Sequence, residues 1–556
     1  MIRFISLSIT FCVWSIFTAG AQQPTGGAKL IRTIDFKGAG GCPGLRLGDI
    51  NGDGKYEIVM GQPLPQTSLD AHTPQEVVRV TAFDLTGTKL WQYTRPGNPS
   101  LTGHTASSDI PLQVYDIDGD GAAEVLAAFG RDKITVLNGR NGSIERTIPI
   151  PQGTSATGAS GSNDCIIIAN LRGTEWPQDF IVKTRYTQIW GIDGRDGTVL
   201  WTYKKGTGDN LCHFGYAFNA DNDKMDEYIS GWQLLDHDGK VLWSAKNLTM
   251  HIDAVTVGDM DNNPNNGLEV ILASQVGVAY RASTGEELWR DNSTTPSGQG
   301  IQHIAMGDYD TTSPGREVAM LERIGPRTDQ GRDANIFVSS TGKLIWKENR
   351  TGDDYGWLSV TERITNWNGD GRDQILSYRR TFTSPTIYNI KGQAVVTFTH
   401  PGENIDFVMH ADLGGDDKEE VIVYNETTAW IYSNGDCDLS APPRKPSLPQ
   451  NRRLYNWTIY SGWEAVDFTF YTPGSTGVLS RDNSAPENFR KPRENRASSV
   501  HSGSATAIMW NLQGKVVFKG QWNNGKGKFP PNVRRGIHIL SASCGNKPGY
   551  NKIVVE

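Results

Sequence analysis

Two acidic stretches carry the same arrangement of oxygen donors: Asp49-Ile50-Asn51-Gly52-Asp53-Gly54 with Glu57, and Asp116-Ile117-Asp118-Gly119-Asp120-Gly121 with Glu124. Asp or Asn at alternate positions of a glycine-bearing loop can wrap one hard cation, because glycine permits the sharp turn while short side chains converge. An acidic residue then follows at the head of an apolar strand. Asn219, Asp221 and Asp223 with Glu227 repeat the arrangement, Asp259 and Asp261 begin another copy, and Asp412, Asp416 and Glu420 approximate it. Weaker copies start at Asp308 and Asn366, and a degenerate one runs from Asn170 to Val182 with Asp179 before the strand. One such loop would be an ordinary polar turn. Several in register predict bound Ca2+ in at least one of them, in a structural role that ties strands together.

The elements that must position these loops come from a second pattern, a tight glycine turn between strands, often with tryptophan in the second. Thr86-Gly87-Thr88-Lys89-Leu90-Trp91, Asp196-Gly197-Thr198-Val199-Leu200-Trp201, Asp238-Gly239-Lys240-Val241-Leu242-Trp243, Thr284-Gly285-Glu286-Glu287-Leu288-Trp289 and Thr341-Gly342-Lys343-Leu344-Ile345-Trp346 are the clear copies. Asn141-Gly142 and Lys391-Gly392 continue the series without tryptophan. Each is a hairpin signal. Hairpins and acidic loops alternate from about Lys29 to Tyr432, with a period of roughly 40 to 60 residues, the size of a propeller blade. A single blade cannot bury both faces, whereas a closed ring of blades covers faces and edges together. The expected fold is all-β: a β-propeller of eight blades, with seven as the alternative count, over residues 29–475, plus a small C-terminal β module.

The ends read differently. Arg3 followed by the apolar run Phe4 to Phe17 and by Ala19-Gly20-Ala21 is the pattern of a secretory signal peptide over residues 1–21. A proline-rich connector, Ala441-Pro442-Pro443 to Pro449, precedes a stretch from Arg453 to Pro473 that reads as ordered. Residues 476–504 are polar and weakly patterned, as in a linker. Residues 505–556 form the β module, where Asn511-Leu512-Gln513-Gly514-Lys515-Val516-Val517 and Arg535-Gly536-Ile537-His538 resemble C-terminal sorting domains of secreted bacterial proteins. A plain accessory β-sandwich stays open beside that reading. Export, with attachment to the cell surface through this module, is the expected localisation.

Bulk properties narrow the function classes. The 556-residue chain has a formal net charge of -7, which argues against a non-specific nucleic-acid binder, and no later stretch is apolar enough to span a bilayer. Without the signal the cysteines are Cys42, Cys165, Cys212, Cys437 and Cys544, an odd set with no paired zinc motif. Oligomeric state leaves no mark on the sequence.

Taken in order, the loops and hairpins resemble the catalytic propeller of rhamnogalacturonan lyases, polysaccharide lyase family 11. The carriers are Gly48-Asp49-Ile50-Asn51-Gly52-Asp53-Gly54, Tyr115-Asp116-Ile117-Asp118-Gly119-Asp120-Gly121, Leu235-Asp236-His237-Asp238-Gly239, His251-Ile252-Asp253-Ala254, Ala411-Asp412-Leu413-Gly414-Gly415-Asp416 and Arg453-Leu454-Tyr455. The resemblance implies eight blades, calcium and β-elimination on an acidic polysaccharide. That chemistry needs a base for the proton α to a uronate carboxylate and a cation or basic side chain for the charge that develops. By position the resemblance offers His213 and His251 as catalytic residues. His303 stands where the family has an arginine, in Gly298-Gln299-Gly300-Ile301-Gln302-His303, and no lysine is evident at Asn404-Ile405-Asp406-Phe407. The family's N-terminal immunoglobulin-like domain also has no counterpart. The expected function is a secreted polysaccharide lyase. The alternative is a non-catalytic calcium-bound propeller that binds glycan or protein; a quinone-dependent dehydrogenase, suggested by the Gly-x-x-Leu-Trp hairpins, is disfavoured because adjacent paired cysteines are absent.

Overall fold

The computed structural model describes residues 27–440, except 42–43, 65–75, 98–109, 154–164, 175, 185, 264, 296–297, 326–332, 351–358, 380–383 and 401–406, together with 504–510, 516–523, 536–544 and 547–555. The signal-like segment, the connector and the linker lie outside the described residues. Within 27–440 all regular structure is β, arranged as eight four-stranded antiparallel sheets, so the count is eight rather than seven. Blades 1 to 7 span residues 45–94, 112–149, 167–204, 211–244, 255–290, 301–350 and 359–397, each with its strands in sequence order. Blade 8 takes three strands from 407–434 and its fourth from Ala28–Asp35, which pairs antiparallel with Thr428–Asn434. Chain start and propeller end therefore close the ring, leaving no unpaired edge at the joint.

The acidic loops join the first and second strands of each blade, and the glycine turns join the third and fourth. Strands paired in sequence order put both connections at one end of the sheet, so all of them share one face of the ring. The second strands are buried along their whole length, as in Glu57–Pro63 and Glu317–Arg323. Apolar residues on both sides of these strands pack neighbouring blades together.

Tryptophan at the end of the fourth strand is an inter-blade dock. The Nε1 groups of Trp91, Trp243 and Trp289 donate to the carbonyls of Gly139, Ala282 and Ser340 in the next blade, at 2.6, 2.7 and 3.0 Å. Each indole lies under the glycine of that blade's hairpin. A Cβ on Gly142 would come within 2.4 Å of the Trp91 ring, and one on Gly342 within 2.7 Å of the Trp289 ring. Both glycines also hold positive φ, 70° and 75°, so only glycine suits the turn and the ring beneath it. The repeated Leu-Trp signature is thus explained by blade packing. Trp91→Ala is expected to destabilise the propeller by about 3–5 kcal/mol in denaturant unfolding, the usual range for emptying a buried tryptophan site.

The acidic loops are also bonded to one another. Backbone amides of Ala123, Asp226, Arg316 and Asp373 donate to carbonyls of Asp49, Asn170, Met260 and Asp308 in the preceding blade, at 2.7–3.0 Å. Carboxylates strengthen three junctions: Asp226, Asp373 and Glu419 accept from the amides of Asn170, Asp308 and Thr365 at 2.7, 2.9 and 2.7 Å. The second unit, Asp482–Glu556, holds a separate four-stranded antiparallel sheet with Ser504–Trp510 between Val516–Asn523 and Gly536–Cys544, and with Lys547–Val555 at one edge.

Candidate active site and acidic loops

The glutamate that heads the second strand in blades 1, 2, 4, 5 and 8 has a definite local duty. Its Oε2 accepts the amide of the second loop residue: Glu57 from Ile50 at 3.0 Å, Glu124 from Ile117 at 3.0 Å, Glu269 from Met260 at 2.8 Å and Glu420 from Leu413 at 2.8 Å. Glu227 does the same with Ala220 at 2.5 Å. The first loop residue folds the turn around itself, as Asp49 accepts from Gly52 and Gly54 at 2.7 and 2.8 Å, and Asp116 from Gly119 and Gly121 at 2.7 and 2.9 Å.

The remaining oxygens converge. Asp116, Asp118 and Glu124 lie together, as do Asp259, Asp261 and Glu269, each set within 4.8 Å. The buried Oε1 atoms of Glu227, Glu317 and Glu420 meet no hydrogen-bond donor. Burial, aided by neighbouring carboxylates, pushes Glu57 and Glu124 up to about 8 and Glu227 to about 9. Crowded, under-donated oxygens of this kind suit a hard dication. Other expected ligands are drawn elsewhere: Asp120 pairs with Arg140 at 3.0 Å, Asp416 with Lys418 at 2.8 Å, and Asn51 spends its amide on Glu57 at 2.9 Å. In the first loop Asp53 accepts the amide of Lys55 at 2.8 Å, and in the fourth Asp221 accepts that of Asp223 at 3.1 Å while Asn219 accepts that of Asn222 at 2.6 Å. Asp412 accepts from Gly415 at 2.6 Å.

Blade 3 carries its own cation. The Arg172 guanidinium reaches Asp179 Oδ1 at 2.7 Å and Asp193 Oδ2 at 2.7 Å from within the degenerate loop. Asp179 is fully buried and also accepts the Leu171 amide at 3.1 Å. Arg172→Met is expected to cost about 3–5 kcal/mol of unfolding free energy, because it strands a buried carboxylate.

A different group gathers at the opposite end of the blades. His213 stands on the first strand of blade 4, Leu211–Phe218, while His251 and Asp253 lie in the connection leading to the first strand of blade 5, Val255–Gly258. Cys212 bridges to Ile252, and the His213 amide donates to the Ile252 carbonyl at 3.0 Å, which fixes one histidine against the other. Nε2 of His213 and Nε2 of His251 both approach Asp253 Oδ1, at 3.1 and 3.0 Å. Gln302 of blade 6 donates to the other oxygen, Oδ2, at 2.7 Å. Tyr186, between the second and third strands of blade 3, places its hydroxyl 2.9 Å from His213 Nε2, and its ring centroid is 5.4 Å from each imidazole. Residues of four blades thus meet around one carboxylate.

Burial alone would raise the Asp253 carboxyl, but hydrogen bonds from His213 and His251 and their charge hold it well below the usual carboxylate range. Asp253 is therefore an anion that fixes both rings. His213 is buried, whereas the His251 side chain is 29% exposed, so His251 is the imidazole that a ligand can reach. With Nε2 turned to Asp253, its Nδ1 is left as a proton acceptor. His213, His251 and Asp253 also present ligand atoms within 4.8 Å of one another, close enough to share a dication. His303, the third histidine expected, is buried on the first strand of blade 6. From the same strand, its neighbour Gln302 reaches Asp253.

Known proteins resemble this chain over much of its length. A family profile described as "Rhamnogalacturonan lyase family 11, C-terminal domain" matches residues 182–437, a span that contains His213, His251, Asp253 and Gln302. That span is less than half of the chain, and with the relatives below it supports a divergent relationship to this family. The family's members are polysaccharide lyases. Rhamnogalacturonan endolyase YesW of Bacillus subtilis is 26% identical over 468 residues, covering 74% of this chain and 68% of the relative. The exolyase YesX of the same organism is 26% identical over 444 residues, covering 69% of each. Among solved structures, the Bacillus licheniformis rhamnogalacturonan lyase PL11 aligns with a TM-score of 0.52 at 21% identity, over 74% of each chain. YesX aligns with a TM-score of 0.53 at 22% identity, over 74% of each chain. At that identity the structural likeness speaks for the fold.

The structure adds residues that the sequence did not single out. Glu269 stands ten places after Asp259 because its loop is two residues longer, yet it heads an apolar strand just as Glu57 and Glu124 do. Asp253 follows His251 by two and had been visible only as part of a longer motif. Tyr186 and Gln302 had no local signal, since their relevance depends on blade-to-blade contact.

Proposed function

We propose that the protein is a secreted lyase that cleaves a rhamnogalacturonan-like, uronate-containing glycan by β-elimination. Similarity to rhamnogalacturonan lyases supports the class, and the observation that carries the mechanism is the pair of histidines held by one buried carboxylate, with only His251 open to solvent. His251 Nδ1 takes the proton α to the uronate carboxylate. Asp253 keeps that ring oriented and stabilises the imidazolium that forms. The Tyr186 hydroxyl, beside His213, supplies a proton toward the departing glycosidic oxygen.

Calcium belongs to this reading as the structural ion of the acidic loops, where the under-donated oxygens of Glu317 and Glu420 support it. Export through the signal-like N-terminus, with surface attachment through the C-terminal unit, would bring the enzyme to an extracellular polysaccharide. Ultraviolet absorbance of an unsaturated uronate, followed on rhamnogalacturonan and on other acidic polysaccharides, tests the activity. Product on at least one of them is expected, with His251→Ala nearly inactive. Absence of product on every acidic glycan, or full turnover by His251→Ala, would overturn the assignment.

A further inference from the structure

The fourth acidic loop differs from the others in one donor. His237, in the turn between the third and fourth strands of blade 4, leans over the loop, and its ligand atom lies with those of Asp223 and Glu227 in a group spanning no more than 4.8 Å. Its Nδ1 is 3.5 Å from Asp223 Oδ2 and 2.7 Å from Asp236 Oδ1. Among the described residues, this is the one acidic-loop group that contains a nitrogen donor. We propose that Asp223, Glu227 and His237 form a mixed imidazole–carboxylate site that takes a first-row transition dication of the zinc class in preference to Ca2+.

A second observation points to a ligand independently of the clustered carboxylates. Glu227 is fully buried, its Oε2 is spent on the Ala220 amide, and its Oε1 meets no hydrogen-bond donor. An oxygen so placed lacks a partner that a bound ion would provide. The donor set then chooses the ion. Calcium wants six to eight oxygens, gains little from imidazole and favours many carboxylates. This loop begins with Asn219 where blade 2 has Asp116, so it offers one fewer carboxylate than that loop while gaining an imidazole. Imidazole with two carboxylates suits zinc-class ions, which accept three protein ligands with solvent in the remaining position. Ligands about 2.0–2.1 Å from a tetrahedral ion stand about 3.3 Å apart, close to the separation of His237 Nδ1 and Asp223 Oδ2. Asp236 approaches the same ring nitrogen without a hydrogen bond to it, so the nitrogen, too, is a buried polar atom that a bound ion would partner.

The test uses the full chain, stripped with chelator, returned to excess calcium chloride and then given Co2+ as a spectroscopic stand-in for zinc. Retained metal is counted after desalting, and the visible absorption of the cobalt is recorded. Because His213, His251 and Asp253 could bind the same ion, the comparison is made in the wild type and in a His213→Ala/His251→Ala background. His237→Ala is expected to remove one cobalt per chain in both, together with the matching absorption, while circular dichroism stays unchanged. Should the double background fail to fold, the difference between wild type and His237→Ala still decides the matter. Retention of the same cobalt by His237→Ala would overturn the proposal, as would full displacement of cobalt from the site by calcium. So would a His237→Ala variant that melts earlier with its metal content unaltered, since the imidazole would then be replacing a cation rather than binding one. Loss of the His213 and His251 activity in the background leaves this result unaffected, so the two readings fail separately.

Discussion

Asp253→Asn is expected to lower turnover about 10³-fold while leaving the melting temperature within a few degrees of the wild type, the size of effect usual for a lost acid–base arrangement. The side chain keeps its volume and an oxygen, so one imidazole can still donate to it, and the contact with Gln302 can rearrange. The negative charge is what disappears. That charge is kept ionised by His213 and His251 and in return sets the orientation of both rings. Without it, His251 loses the anion that steadies its protonated form in the step where it has just taken the substrate proton. The loss should fall on kcat more than on KM, because Asp253 is buried and does not reach the glycan. Gln302→Ala, which removes only the contact to the second oxygen, should show a smaller loss of the same kind. Steady-state kinetics on the responsive polysaccharide would measure both, with circular dichroism as the folding control. Equal kcat for Asp253→Asn and wild type would mean that the carboxylate is a packing feature.

The second large effect concerns pH and metal together. In the metal-free protein, burial raises Glu57 and Glu124 from 4.5 to about 8. A group whose pKa is higher folded than unfolded binds more protons in the folded state across the interval between the two values. Stability from it is complete below the unfolded pKa, near 4.5, and is lost as pH rises through the folded value. Chelated protein should therefore melt at progressively lower temperature from about pH 5 to about pH 9, by on the order of 10 °C in all. Added Ca2+ should reverse the trend, since ionised carboxylates are its ligands and deprotonation is then favoured. Because backbone bonds join loops of neighbouring blades, loosening one loop weakens its neighbours, so the loss should be cooperative. Differential scanning calorimetry across that range, with EDTA and with calcium, would measure it. A melting temperature that rises with pH in EDTA would contradict the assignment of these glutamates.

Much of the architecture was legible because it is local and repeated. Asp49 to Glu57 and Asp116 to Glu124 carry loop, turn and strand head within a dozen residues, and the glycine turns before each Leu-Trp pair mark the other hairpin. Repetition converted weak signals into a ring. What stayed hidden is long-range. Nothing in Ala28–Asp35 announces that it pairs with Thr428–Asn434, since that register is set only when the ring closes. The tryptophans were visible, but their use as docks under the next blade's glycine depends on two blades meeting. At the candidate site the same division holds. His213 and His251 came from family resemblance, whereas Asp253, the shared acceptor, gains its meaning from the Cys212–Ile252 bridge that sets two connections side by side. His303 drew attention as the replacement for a missing arginine. The structure places Gln302 of that strand on Asp253, because contacts in a strand depend on the direction of each side chain, which a linear motif does not give.

Mass spectrometry of the chain ends made from rhamnogalacturonan would test the central claim most directly. β-Elimination at a site built around His251 and Asp253 should yield oligosaccharides whose new non-reducing uronate is lighter by one water than a hydrolysis product, and Asp253→Asn should yield almost none. Saturated ends from the wild type, or intact polysaccharide after prolonged incubation with calcium-loaded protein, would contradict it.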